Sequence, residues 1–248
     1  MSEHAFKHST ALITGSGRRI GASCALALAR LGSAVVIHCH GSHLEALALQ
    51  RFIEAEGGTA GIIQADLADS HEVAALISRA EEVHGRGPVD ILVNNAAVYQ
   101  PGGVRDGSLA TWNRHLAVNL TAPFLLMQSF ARRLPQGRPG HIIQIIDQHG
   151  HRPRPGFAAY SAAKSALWTL TRQAALELAP AIRVNAIGPG PILPAPDASR
   201  AEFDRIATAT PLERSGSVDD IAAALRFLLE NDFITGEMIR VDGGEHLR

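Results

Sequence analysis

The feature that most constrains this chain is a rhythm, in which short unbroken apolar runs alternate with amphipathic stretches from end to end. ALIT (11–14), AVVIHC (34–39), GIIQA (61–65), DILVN (90–94), HIIQII (141–146), IRVNAI (182–187) and MIRV (238–241) read as seven strands. Between them lie helical patterns such as IGASCALALARLG, HLEALALQRFIEAEG and SHEVAALISRAEEVHG. Strands separated by helices of this length need crossover connections, which predicts an α/β fold with a parallel sheet and helices on both faces. The strands are continuously apolar rather than alternating, as burial on both faces requires. No linker, repeat or break in composition interrupts the pattern, so a single domain spanning 1–248 is expected.

Composition narrows the function classes. Hydrophobic residues make up 46% and charged residues 19%, which suits a compact globule rather than a disordered chain. A net charge of −1 supplies no global field for nucleic acid or an anionic membrane, so neither is expected as a partner. The opening MSEHAFKHST lacks the apolar stretch of a signal peptide, and no run reaches transmembrane length, so a cytoplasmic protein is expected. Cys24 and Cys39 have apolar neighbours and read as buried thiols in a reducing compartment. Twelve histidines are many, but none has zinc-ligand spacing with cysteine, and no metal is expected. His149 and His151 flank Gly150 in a loop. Trp112 and Trp168 fall in helical periodicity, as core or interface residues would.

TGSGRRIG (14–21) lies at the first strand-to-helix junction. Glycines there let the backbone approach a pyrophosphate, whose charge the helix N-terminus favours. An NAD site places a carboxylate near the end of the second strand to bind the adenosine ribose. Here that strand ends in HCHGSH, and no Asp or Glu occurs from Arg18 to Gly41; the nearest is Glu45. His38, His40 and Ser42, with Arg18 or Arg19 close by, suit a 2′-phosphate instead. NADPH is the expected cofactor.

Tyr160 and Lys164 stand four residues apart on SAAKSALWTLTRQAALELA and share a helix face. A phenol titrating near 10 is a poor acid–base group at neutrality, and a neighbouring ammonium favours its ionised form. Lys164 is therefore expected to bring Tyr160 towards working pH and to bind the nicotinamide ribose. Residues 188–199, GPGPILPAPDAS, hold four prolines and read as a loop over a site.

Together with NNAA (94–97) and VNL (118–120), these motifs resemble a short-chain dehydrogenase/reductase along the whole chain. The resemblance implies a Rossmann-type doubly wound sheet. More narrowly the chain is similar to the pteridine and dihydromonapterin reductases of that superfamily. Arg19 in the turn, HCH after the second strand, Asp147 where a serine is usual, and the tail FITGEMIRVDGGEHLR carry that match. Gly41 departs from it, because some members carry an arginine there.

By position, the resemblance makes Tyr160 the acid, Lys164 its modulator, Asp147 its carboxylate partner and Asn119 the holder of a relay water. It implies cofactor contacts from Gly15, Arg18, Arg19, Ile20, Asp66, Leu67, Asn94, Ala96, Pro189 and Gly190. Arg19 and Tyr99 would meet the substrate, Tyr99 by sandwiching a pterin against the nicotinamide. Ala97 also departs, because pteridine reductases tend to have a serine there. A homotetramer through the helices over 108–134 and 157–179 is a further implication.

Asp147 stands thirteen residues before Tyr160. A serine hydroxyl can donate to a ketone oxygen as it gathers charge, whereas an ionised carboxylate can only accept and repels that oxyanion. A substrate presenting N–H donors reverses the preference, as the amino-pyrimidinone edge of a pterin does. The alternative use of Asp147 is to cap the loop DQHG. The expected reaction is NADPH-dependent reduction of a pteridine-type C=N bond in a dihydropterin or dihydrofolate. The rivals are a carbonyl reductase or alcohol dehydrogenase of the same fold, and a dinucleotide-binding protein that has lost turnover.

Overall fold

A computed structural model of the chain describes residues 6–147, 153–195 and 199–247. Its strands are β1 (Thr10–Ile13), β2 (Ala34–Cys39), β3 (Thr59–Gln64), β4 (Ile91–Asn94), β5 (Gly140–Ile145), β6 (Ile182–Pro189) and β7 (Met238–Val241). They form one sheet in the order β3-β2-β1-β4-β5-β6-β7, with every neighbouring pair parallel. The chain runs outward from β1 to β3, then crosses back and continues from β4 on the other side. That reversal puts a crevice between the carboxyl ends of β1 and β4, where ligands bind in open α/β sheets.

Both sheet faces are covered, for the reason the apolar runs predicted. In β1, Ala11 and Ile13 enter one core layer and Leu12 enters the other, and all three are fully buried. Helices α1 (Arg19–Arg30), α2 (His43–Ala55) and α8 (Val218–Glu230) supply the first layer; α3 (Ser70–His84), α5 (Ala122–Arg133) and α6 (Ala158–Leu178) supply the second. Local chemistry sets their starts. Asp69 caps α3 by accepting the His71 and Glu72 N–H groups, and Ser217 with Asp220 forms a capping box on α8. Among the described residues no helix is long and apolar enough to cross a membrane.

Strand boundaries differ slightly from the sequence reading. β1 stops before Thr14, whose hydroxyl accepts the N–H groups of Asn95 and Ala96, both at 3.0 Å. The turn after β1 is thereby tied to the end of β4. β6 runs two residues further than IRVNAI, through Gly188 and Pro189, because these pair with Arg240 and Val241 of β7. Between α4 (Leu109–Leu116) and α5 the helix widens into one π-turn, Ala117–Thr121, which carries Asn119. Such bulges recur at functional sites. Cys24 and Cys39 are buried and free, and burial pushes the Cys24 thiol up to about 12.

Candidate active site

The carboxyl ends of β1, β4, β5 and β6 open into one cavity of about 1340 Å³. That is larger than a drug-sized pocket requires, and it is long enough to hold a dinucleotide and a second molecule. Its floor is the glycine turn. Gly15 adopts φ +62°, and a Cβ there would lie 2.9 Å from the Ala96 Cα. At Gly21 a Cβ would meet the Gly15 carbonyl and the Asn95 amide at 2.5 Å. At Gly190 it would meet the Asp242 Cα at 2.5 Å. The backbone therefore passes where only glycine fits, a cradle of the kind a pyrophosphate occupies.

His38 is not a cofactor-facing cation. It is buried, its Nδ1 accepts the Gly15 N–H at 3.0 Å, and its Nε2 lies 3.1 Å from the Ala65 carbonyl. Accepting at one nitrogen and donating at the other requires the neutral ring, and burial pushes its pKa down to about 4. The histidine read from sequence as a phosphate contact is a brace for the glycine turn. His40 is exposed on the same strand, with Nδ1 3.4 Å from Asp66 Oδ1. Ser42 abuts the turn, since a Cβ on Gly17 would lie 2.8 Å from its Oγ. Arg18 is exposed beside it with no side-chain partner among the described residues. Asp66 and Leu67 line the same end, and Leu67 is buried.

Asn94 is also displaced from its expected place. Its side chain is buried away from the cavity and has no hydrogen-bond partner among the described residues. The next residue, Asn95, does the bracing: its amide donates to the carbonyls of Thr14 and Gly15 at 2.9 and 3.0 Å. Ala96 lines the cavity beside it, as do Ile20, Pro189 and Gly190. Arg19, at φ +57°, donates to the Pro194 carbonyl at 2.8 Å and so links the turn to the segment after β6.

At the other end, α6 carries Tyr160 and Lys164 on one face as predicted. Tyr160 donates to Asp147 Oδ2 at 2.8 Å, and Lys164 Nζ donates to the Ile145 carbonyl at 2.7 Å. Asp147 follows β5 with φ +119°, a conformation uncommon for a side-chain-bearing residue, and its carboxylate is thereby turned to the phenol.

The Tyr160 phenol does not lie near neutrality in this arrangement. Burial, then the charge and hydrogen bond of Asp147, hold the Tyr160 hydroxyl well above the usual phenol range. The carboxylate touches the phenol oxygen, whereas the ammonium lies 5.8 Å from the ring centroid and gives one of its three donors to a carbonyl. Burial brings Lys164 itself down to about 8, against the pull of Asp147. Tyr160 therefore rests protonated and can act as an acid.

The Asn119 amide pairs with the Val98 backbone at both ends: Oδ1 accepts the Val98 N–H at 2.8 Å and Nδ2 donates to the Val98 carbonyl at 2.9 Å. Tyr99, on the next residue, stacks on Phe157 (centroids 4.5 Å apart, 12° between planes) and meets Tyr160 edge-on at 4.8 Å. Phe157 was missed from sequence, although its spacing to Tyr160 and Lys164 repeats along one helical face. Arg154, also missed, donates to the Tyr99 hydroxyl at 3.2 Å; nothing in its sequence surroundings signals that contact. His149 and His151, and residues 196–198 of the 188–199 loop, lie outside the described residues.

A doubly wound sheet with a glycine cradle at the switch point and a tyrosine–lysine pair after β5 defines a short-chain dehydrogenase/reductase. The chain belongs to the family described as enoyl-(acyl carrier protein) reductase, whose model matches residues 15–246, within that superfamily of oxidoreductases. It is similar to FolM alternative dihydrofolate reductase 1 from Brucella suis, solved in complex with NADP. The two are 40% identical with a TM-score of 0.92, covering 97% of this chain and 96% of that one. The Brucella canis counterpart, also complexed with NADP, is 38% identical with a TM-score of 0.94, covering 100% and 97%. A 3-oxoacyl-[acyl-carrier-protein] reductase FabG from Staphylococcus aureus is 37% identical over 96% of this chain and 98% of its own.

Proposed function

We propose that the protein is an NADPH-dependent reductase of a pteridine-type C=N bond, converting a dihydropterin or dihydrofolate to its tetrahydro form. The observation that carries this reading is the Tyr160–Asp147 hydrogen bond, which puts an acceptor, not a hydroxyl donor, beside the acid. The likeness to the two Brucella FolM structures supports it.

The residues of the cradle fit the cofactor. Gly15, Ile20, Ala96, Pro189 and Gly190 leave room for its pyrophosphate and nicotinamide ribose. The unpaired Arg18, with Arg19, His40 and Ser42, suits the 2′-phosphate, and Asp66 and Leu67 suit the adenine. When bound, NADPH supplies the hydride from its nicotinamide.

The chain's own residues handle the proton. Asp147 accepts N–H donors from the amino-pyrimidinone edge, which frees the Tyr160 hydroxyl to turn towards the ring nitrogen. Tyr160 gives its proton there as that nitrogen gains charge. Lys164 holds the ribose and, at neutral pH, keeps an ammonium near the phenolate that forms. Asn119 is held by its two bonds to Val98 at the π-turn, a fixed place from which to hold a relay water. Tyr99 offers the ring a stacking partner.

A second reading, a carbonyl reductase acting on a 3-oxoacyl group, draws support from the FabG relatives. NADPH oxidation with dihydrobiopterin and dihydrofolate, beside a ketone and 3-oxoacyl thioester panel, separates the two for wild type and Asp147→Ser. Pterin turnover that the serine variant loses supports the first reading. Ketone turnover without pterin activity overturns it. Exposed apolar side chains on the helix pair, Leu109, Phe124 and Leu176, support the proposal of a homotetramer, which light scattering tests.

A further inference from the structure

Arg154 sits outside the acid–base machinery, yet it touches three separate elements of the cavity wall. Its Nη1 donates to the Tyr99 hydroxyl at 3.2 Å, on the segment after β4. Its Nη2 reaches Glu202 Oε1 at 3.5 Å, on α7 (Arg200–Thr208). Its guanidinium carbon lies 5.2 Å from the centroid of the Phe157 ring, at the start of α6. Tyr99 and Phe157 are themselves stacked, and Tyr99 meets the ring of the acid Tyr160 edge-on at 4.8 Å. All of these residues line the cavity.

We propose that Arg154 is a positioning residue that fixes the Tyr99–Phe157 pair as a rigid wall for a flat heteroaromatic substrate. The inference rests on the reading above only in taking the reacting ring to be planar. A half-exposed arginine–glutamate pair contributes little by itself. Here the pair serves as an anchor. Glu202 holds one arm of the fork, which leaves the other arm aimed at the Tyr99 oxygen and the guanidinium carbon over the Phe157 ring. A planar guanidinium presents its donors in a fixed fork to two partners beside a ring; an ammonium on a flexible stem offers no such fixed geometry. With Arg154 gone, the Tyr99 hydroxyl loses this donor, and its ring is held less firmly beside the space a flat substrate needs. Stacking partners contribute through geometry, so a mobile ring weakens binding without altering proton transfer.

The test uses the NADPH-loaded protein, with 2,4-diaminopteridine as a flat binding probe measured by calorimetry. Arg154→Ala should weaken the probe roughly three- to tenfold, the loss of one well-placed aromatic contact. NADPH affinity should hold, and with dihydrobiopterin the loss should fall on KM, with little change in kcat. Arg154→Lys should restore only a minor part. Glu202→Gln, which releases the anchor and leaves the rings in place, should show a smaller loss in the same direction. Unchanged probe binding in both Arg154→Ala and Glu202→Gln overturns the proposal. So does an equal loss of NADPH affinity and kcat, which marks a merely structural role. If Arg154→Ala does not fold, Glu202→Gln and Arg154→Lys decide. Wild type that binds no probe overturns this inference. Wild type that binds it but turns over no pterin overturns the pteridine reaction and leaves Arg154 to be judged on the probe.

Discussion

Tyr160 donates a hydrogen bond to Asp147 across 2.8 Å, and burial with that contact keeps the phenol an acid at rest. A phenolate here would face a carboxylate in a buried setting, so the proton stays until another group accepts it. The arrangement fits a reduction, in which the substrate must receive a proton.

Replacing the carboxylate should release the phenol. In Asp147→Asn the hydroxyl keeps a hydrogen-bond acceptor but loses the negative charge. Tyrosinate should then form at lower pH than in wild type. The chain has two tyrosines, Tyr99 and Tyr160, so a spectrophotometric titration can follow both. Turnover of a pterin should fall by a factor on the order of 100, within the range for a displaced acid–base group. An unchanged titration refutes the pairing.

Lys164 should set the alkaline limb of activity. Its value near 8 lies below its ordinary 10.5, so its ammonium is lost as pH rises through about 8. If that charge holds ribose and phenolate, kcat/KM should decline across that interval. Lys164→Arg should move the limb upward, because guanidinium stays charged. A limb that does not move assigns the ionisation elsewhere.

Two histidines make the fold acid-sensitive, one buried (His38) and one partly buried (His141). His38 and His141 are both held down to about 4 from an ordinary 6.5, mainly by burial. The unfolded chain binds their protons first, so the stability they contribute is complete above about 6.5 and is lost as pH falls towards 4. Below that point they add no further loss. Each contributes at most about 3 kcal/mol to this dependence. The melting temperature should fall steeply over that window, and His141→Gln should flatten the fall.

Gly21→Ala should damage the cofactor end alone. The added methyl meets the Gly15 carbonyl and Asn95 amide at 2.5 Å, which forces the turn to shift. Overpacking of this kind costs about 1–3 kcal/mol. The variant should melt earlier and gain less thermal protection from NADPH than wild type does. Retained protection at full strength sinks the cradle assignment.

Spacing along the chain determined much of this protein. Continuous apolar runs predicted seven parallel strands because a strand buried on both faces has no polar side to alternate. TGSGRRIG at the first strand-to-helix junction predicted the cradle, and a four-residue helical spacing put Tyr160 and Lys164 on one face.

That same burial hid other features. With both faces of β4 apolar, no alternation showed whether Asn94 or Asn95 turns towards the ligand, and the structure chose Asn95. His38 looked like a strand-end cation until its burial and two hydrogen bonds made it a neutral brace. The phenol's ionisation went the opposite way from the expectation because burial opposes the phenolate and the charge nearest to it in space is a carboxylate. Asp147 reaches the hydroxyl through an unusual backbone turn, and Lys164 is drawn off to the Ile145 carbonyl. Periodicity decides which residues share a face of one element. Distances between separate elements, and the dielectric around them, exist only once the chain has packed.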